Sequence, residues 1–182
     1  MQRLYNSRCY LVGSIDRVAD FGAGWRDEIT PQLEKLGITV INPLKKPVDI
    51  NIEDEQFRDD VTLMKKQGRF DDIREKYKNI RNVDLRFCDI SDFIVVRLST
   101  KEFACGTLEE LFWTNRMKKP VLVWSVEGKE NAPTWLFLTL PHQLIFNSLK
   151  EIMSYLHNIN TGENIDTLGR WFFMKFAKQT GV

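Results

Sequence analysis

The sequence has little of what marks disulfide-rich, metal-binding or nucleic-acid-binding proteins. Its 3 cysteines are an odd number without C-x-x-C spacing, which predicts reduced thiols in a cytoplasmic protein. Its 2 histidines, His142 and His157, are too far apart in the chain to indicate a zinc pair. Lys and Arg total 26 against 25 Asp and Glu, so a basic surface for polymeric nucleic acid is not expected.

Long hydrophobic runs are also missing. No stretch approaches the roughly 20 apolar residues of a membrane span, so we expect no membrane partner. The first 13 residues, interrupted by Arg3 and Arg8, are not typical of a signal peptide. Hydrophobic residues make up 43% and charged residues 28% of the 182 residues, a balance typical of a globular protein. This length predicts a single domain over residues 1–182.

Short apolar runs alternate with helical patterns along the chain. The apolar runs predict five strands, at 9–13, 38–41, 93–96, 120–124 and 144–146. The periodic segments predict helices at 25–36, 80–90, 107–117 and 148–156. This alternation predicts an α/β fold with an open, mainly parallel sheet and helices on both faces.

Three features modify this simple pattern. Pro31 lies inside the first helical segment and predicts a kink or a late start there. The charged, poorly periodic stretch at about 44–78 predicts one or two inserted helices that face solvent. The aromatic-rich stretch at about 166–178 predicts a terminal helix that covers its own core or a neighbouring subunit, and we expect a homo-oligomer.

Open parallel sheets bind ligands beyond the carboxyl ends of their strands. Gly13 at the end of the first strand would let a ligand approach the backbone, and Ser14 to Asp16 could hold a phosphate or sugar hydroxyl. A simple tight turn is the alternative interpretation. Asn42 follows the second strand at the same edge, and Arg26 at the start of the first helix either meets a phosphate or lies in solvent.

The third ligand-facing segment contains Gly106, Thr107, Glu109 and Glu110. Thr107 and Glu110 fit a T-x-x-E capping box, in which Glu110 would only start a helix. The same carboxylate, placed in the first helical turn, would feel the positive end of the helix dipole and be kept ionised. An ionised, oriented carboxylate is what attack on a sugar C1′ requires. The sequence leaves both interpretations open.

Asp84 is the third candidate, because aspartate is a poor helix former in the middle of a predicted helix. That anomaly permits a functional role without requiring one. Trp113 and Trp135 could stack on a base, although large aromatic side chains are more often part of a core.

These motifs together resemble the nucleoside 2-deoxyribosyltransferase-like superfamily, in particular its bacterial and phage-encoded branch. The resemblance covers most of the chain outside the insertion and the C-terminal tail. The segment at 105–113, CGTLEELFW, is its most specific part. The matching segments lie at 10–16, 24–26, 83–92, 105–113, 118–123 and 141–146.

The resemblance implies a flavodoxin-like domain that cleaves the N-glycosidic bond of 2′-deoxynucleosides without a metal or cofactor. It implies that Glu110 is the nucleophile, that Asp84 is the acid/base near the leaving base and that Tyr10 orients the nucleophile. Gly13 and Ser14 also resemble the start of deoxynucleotide N-hydrolases, in which this turn approaches a 5′-phosphate.

Three functions therefore stay open at this stage. The first is N-glycoside cleavage on a deoxynucleoside, with transfer to another base or to water. The second is hydrolysis of a deoxynucleoside 5′-monophosphate. The third is a non-catalytic nucleotide-binding protein, since Ala104 and Cys105 stand where several deoxyribosyltransferases have an aspartate.

Overall fold

A sheet of parallel strands forms the centre of the protein. The computed structural model describes residues 2–16, 18–46, 53–163 and 168–174, and within them the sheet has five strands in the order β2-β1-β3-β4-β5. This order is the flavodoxin-like one, which confirms the predicted fold class. The strands are β1 (Arg8–Gly13), β2 (Thr39–Ile41), β3 (Phe93–Leu98), β4 (Val121–Ser125) and β5 (Ile145–Phe146).

Helices cover the sheet on both sides. In the same ranges none of them is long and apolar enough to cross a membrane. Their bounds are α1 (Ala23–Lys35), α2 (Glu55–Lys66), α3 (Phe70–Ile90), α4 (Cys105–Arg116), α5 (Thr134–Thr139) and α6 (Leu149–Thr161).

Alternating side chains of the central strands divide the core into two layers. Leu11 of β1 and Val95 of β3 belong to one layer, which α1 and α6 cover. Tyr10 and Val12 of β1 belong to the other layer, which α3, α4 and α5 cover. Successive residues of a strand point to opposite faces of the sheet, so this division follows directly from the strand geometry. It directs Tyr10 towards α3 and α4.

Several helix boundaries differ from those predicted. Helix α1 begins at Ala23, so Pro31 lies inside it and the predicted late start is wrong. The short α5 was not expected, because six residues are too few to show a helical period. Helix α3 is longer than predicted, because it runs without interruption from the charged stretch to Ile90.

The charged stretch forms helix α2 and the first half of α3. These helices bury a small core of their own, in which Phe57 and Val61 of α2 pack against Ile80 of α3. Helix α2 also contacts the loop after β1, since Arg58 donates a hydrogen bond to the carbonyl of Val18 at 3.1 Å. The insertion therefore packs beside the carboxyl edge of the sheet, where the sequence predicts a ligand.

The C-terminal segment closes the layer formed by α1 and α6. Of the terminal helix predicted at about 166–178, the structure describes residues 168–174, and only the last two of these are helical. Within them, Trp171 is fully buried, and its ring lies 5.2 Å from that of Phe93. Its indole N–H donates to the hydroxyl of Tyr155 at 2.9 Å. This part of the tail covers the chain's own core.

We expect Trp171→Ala to lower the free energy of unfolding by about 3–5 kcal/mol, because it leaves a cavity under the sheet. Phe172→Ala is the matched control, since that side chain is 39% exposed and should change stability by less than about 1 kcal/mol. Urea unfolding followed by circular dichroism measures both. Equal losses in the two variants would contradict the packing described here.

Candidate active site

A cavity of about 650 Å³ opens at the carboxyl edge of the sheet, between the loop after β1, helix α3 and the start of α4. This volume is in the usual range for small-molecule sites. Its polar lining includes Ser14, Asp16, Asp84, Thr107 and Glu110, all of them predicted from the sequence. Gly13 and Gly106 line it as well.

Tyr10 and Glu110 form the buried end of this cavity. The Tyr10 hydroxyl donates to Glu110 Oε1 at 2.5 Å, and the two residues are 1% and 8% exposed. They meet because Tyr10 faces the α4 side of the sheet and Glu110 lies on the inner face of α4, next to Leu111. The contact orients one carboxylate oxygen, as the resemblance implies for these two residues.

The capping-box interpretation of Glu110 is wrong. Helix α4 begins at Cys105, so Thr107 is its third residue and cannot be the N-cap. Glu110 is the sixth residue, and no acidic residue occupies the first turn. The predicted dipole effect on its ionisation is therefore wrong too. Burial, reinforced by the charge of Asp84, raises the pKa of Glu110 to about 8.

Asp84 lies on the inner side of α3 in a group of three charged side chains. Lys46 Nζ donates to Asp84 Oδ2 at 3.1 Å and to Glu53 Oε1 at 3.3 Å. Lys46 Nζ also lies 3.0 Å from Asp84 Oδ1, but among the described residues Oδ1 receives no aligned hydrogen bond. Burial raises the pKa of Asp84 and of Glu53, while Lys46 opposes the increase at both.

Lys46 and Glu53 were missed by the sequence interpretation. Both belong to the charged stretch at about 44–78, which has no period from which a buried side could be recognised. A signal existed in the abundance of charges there, but charged runs are usually solvated. Only the folded structure shows that two of these charges are buried beside Asp84.

Arg26 and Asn42 have other positions than the ones predicted, since neither is among the described residues that line the cavity. Arg26 is buried and donates to the carbonyls of Gly22 at 2.8 Å and Gly13 at 2.9 Å. Gly22 has a φ of 71°, and a side chain there would collide with the guanidinium. Asn42 caps a short 3-10 turn by accepting from the Leu44 N–H at 3.0 Å.

Gly13 and Gly106, the two glycines that line the cavity, differ in the space around them. A Cβ on Gly13 would approach Trp25 and Arg97 to 3.2–3.3 Å, so close internal packing already accounts for this glycine. A Cβ on Gly106 would meet no atom within 4 Å. Gly106 therefore keeps space open in front of the start of α4.

The remaining candidates lie outside the buried end of the cavity. Glu109 forms an ion pair with Arg81 across the gap between α4 and α3, with Arg81 Nε 3.0 Å from Glu109 Oε2. Trp113 donates to Asp89 at 3.0 Å. Trp113 and Trp135 are 42% and 70% exposed, and among the described residues neither lines the cavity.

Within the described ranges, no group of His, Cys, Asp and Glu side chains has an arrangement that could hold a metal ion. The buried acids of the cavity face a lysine and a tyrosine instead. What these groups can provide is a carboxylate in a fixed position beside a second carboxyl group that can hold a proton.

The sequence matches no protein-family profile and no curated protein. Among solved structures, the chain is similar to a 2-deoxyribosyltransferase from Bacillus psychrosaccharolyticus, with a TM-score of 0.58 and 18% identity over 82% of this chain and 92% of that one. It is also similar to a 2-desoxiribosyltransferase from Leishmania mexicana, with a TM-score of 0.46 and 20% identity over 66% and 65% of the two chains. A CMP N-glycosidase from Clostridium botulinum gives a TM-score of 0.40 and 16% identity over 83% and 98%.

The first of these similarities covers nearly the whole of the compared chain and establishes the fold. It agrees with the strand order and with the motifs that carry the resemblance in the sequence. The chain has the α/β fold of this 2-deoxyribosyltransferase.

Proposed function

We propose that the protein cleaves the N-glycosidic bond of a 2′-deoxynucleoside, or of its monophosphate, through a covalent intermediate on Glu110. The observation that carries the proposal is the buried Glu110 carboxylate, oriented by Tyr10 and adjoining Asp84 in a cavity of nucleoside size. The similar structure from Bacillus psychrosaccharolyticus is a 2-deoxyribosyltransferase, which supports the same class of reaction.

The first step forms a bond between a Glu110 oxygen and C1′ of the sugar while the bond from C1′ to the base nitrogen breaks. The electron pair of the broken bond goes to the base, and a proton from Asp84 neutralises it. An oxocarbenium-like transition state needs this combination of an anion near C1′ and an acid near the leaving group. The Tyr10 hydroxyl holds the attacking carboxylate in one orientation.

The second step regenerates the carboxylate. A nitrogen of an acceptor base, or a water molecule, bonds to C1′ as the bond to Glu110 breaks, and its proton passes to Asp84. Transfer and hydrolysis differ only in this acceptor, and therefore in how well the occupied site excludes water.

Two cations at the cavity favour a substrate that carries a phosphate as a second candidate. Arg74 and Lys78, four residues apart on α3, both line the cavity and are exposed to solvent. Side chains at this spacing project from the same side of a helix. Arg26, which the sequence suggested for this purpose, already binds backbone carbonyls.

Base release from deoxynucleosides and from their 5′-monophosphates, measured by chromatography with and without a free acceptor base, tests the proposal. We expect Glu110→Ala to lower turnover by about 10³-fold or more, because the nucleophile is removed. Glu109→Ala is the matched control, since it removes the neighbouring carboxylate that pairs with Arg81, and we expect a change of less than about 10-fold.

Full turnover in Glu110→Ala would overturn the assignment of the nucleophile. If the parent protein binds deoxynucleotides without releasing a base, the non-catalytic binding function is the correct one. Faster release from monophosphates than from nucleosides would identify the phosphate-bearing substrate.

The ionisation of Glu110 should also be visible in protein stability. Its pKa rises from 4.5 in the unfolded chain to about 8 in the folded one, so its contribution to stability is complete below pH 4.5 and is lost as the pH rises towards 8. Glu110→Gln has no titrating carboxyl group at this position, so it lacks this pH dependence. We expect its stability relative to the parent to increase with pH in this window, by at most about 1.4 kcal/mol per pH unit.

Urea unfolding at several pH values between about 5 and 8 measures this difference. The control is Glu109→Gln, whose difference from the parent should stay constant over the same range, because Glu109 is partly exposed and paired with Arg81. A constant difference for Glu110→Gln as well would show that its carboxylate is not destabilised by burial.

Gly106→Leu tests whether the space at the start of α4 is used by the substrate. Nothing lies within 4 Å of the position of its Cβ, so we expect a change in stability of less than about 1 kcal/mol. The added side chain occupies the cavity, so KM should increase about 10-fold or more. An unchanged KM in a stably folded variant would mean that substrate binds elsewhere.

A further inference from the structure

Lys46 is shared between two carboxylates of the cavity. Its Nζ lies 3.0 Å from Asp84 Oδ1 and 3.3 Å from Glu53 Oε1. The three side chains are only 6%, 17% and 14% exposed, in the order Lys46, Asp84 and Glu53. Asp84 and Glu53 line the cavity, whereas Lys46 is not among its described lining residues. Lys46 therefore contacts the acids of the site rather than the space for a ligand.

The charges of this group do not balance. One ammonium group faces two carboxylates, and a third carboxylate, Glu110, is close enough to Asp84 for their charges to interact. Buried carboxylates in such proximity cannot all be ionised at neutral pH, so the group holds a proton. In the proposed reaction that proton must lie on Asp84 while Glu110 is ionised.

If Lys46 paired with Asp84 alone, it would oppose protonation of Asp84, because an ammonium group within about 4 Å favours the ionised form of a carboxyl group. Glu53 reduces that effect, because it accepts a hydrogen bond from the same ammonium group. At the other end, the Tyr10 hydroxyl stabilises the ionised form of Glu110. Burial raises the pKa of both acids, to about 8 for Glu110, so Glu110 competes with Asp84 for this proton, and the way Lys46 is shared affects which of the two holds it.

We infer, on the basis of the proposed function, that Lys46 is a positioning residue for the acid–base step and that Glu53 is its second partner. By holding both carboxylates, Lys46 keeps Asp84 in place at the cavity. Because its charge is divided between Asp84 and Glu53, it also affects whether Asp84 or Glu110 carries the proton that the leaving base receives. Neither residue has to touch the substrate for this effect.

Other charged groups act on the same site and have to stay unchanged in any test. Arg26 from α1 and the hydroxyl of Tyr10 from β1 favour the ionised form of Asp84. Asp16, from the loop after β1, opposes ionisation of Glu53. Cys88 of α3 is uncharged at neutral pH, because burial raises its pKa to about 12.

The test compares Lys46→Met with Glu53→Gln in the pH profile of base release. Loss of the ammonium group makes protonation of the acids easier, so both limbs of the profile should move to higher pH by about one unit or more in Lys46→Met. In Glu53→Gln the second carboxylate is lost, so Lys46 pairs with Asp84 alone and favours its ionised form more strongly. Both limbs should therefore move to lower pH in Glu53→Gln.

Lys46→Arg should restore the parent profile, because it retains the charge. Lys45→Met and Glu55→Gln are the matched controls, since both side chains are exposed neighbours of the two tested residues, and their profiles should equal that of the parent. Lower activity without a shift in either variant, or shifts in the same direction, would overturn the inference and leave Lys46 and Glu53 with a structural role. If Lys46→Met does not fold, the downward shift in Glu53→Gln is still required.

A direct titration separates this inference from the proposed function. In protein with ¹³C-labelled carboxyl groups, the Asp84 signal is identified by its absence in Asp84→Asn, and its midpoint should move in opposite directions in the same two variants. If the parent protein releases no base but these midpoints move as expected, the proposed function fails while the role of Lys46 is retained. Unmoved midpoints would refute that role even in an active enzyme.

Discussion

The hydrogen bond from Tyr10 to Glu110 is the interaction on which the arrangement of the site depends. It joins the inner strand β1 to helix α4 across the core, and it gives a buried carboxylate the polar partner that its burial requires. Neither residue could be moved alone. A one-residue shift in β1 would turn Tyr10 to the opposite face of the sheet, and a shift in α4 would turn Glu110 away from it.

Much of the fold follows from local patterns that the sequence displays openly. The apolar runs of β1, β3 and β4 are short and buried on both faces, so the strand positions and the parallel sheet were predictable. Asp84 and Glu110 were candidates from the sequence and Tyr10 from the resemblance, and all three line the cavity. The capping-box error at Thr107 has a different origin, because a local motif suggested a helix start there, whereas the helix begins two residues earlier and Glu110 accepts a hydrogen bond from Tyr10.

What could not be predicted is the network of charges behind the site. Lys46 and Glu53 belong to the charged stretch at about 44–78, which has no periodicity, and their burial beside Asp84 of α3 is visible only in the folded structure. Buried acids with elevated pKa values reduce the stability of the fold. Such groups are concentrated at functional sites, where they keep protons available near neutral pH. The combination of Glu110, Asp84 and Glu53 has this character.

Helix α3 links two tasks within one rigid element. Its inner half carries Asp84 at the core, and its outer half carries Arg74 and Lys78 beside the cavity. Arg74 and Asp84 are ten positions apart, which corresponds to about 15 Å along the helix axis. Substitutions in the outer half can therefore alter which molecules bind in the cavity while the position of Asp84 stays unchanged. Diversification of such a protein towards new ligands would be concentrated there, with the chemistry at the inner end left intact.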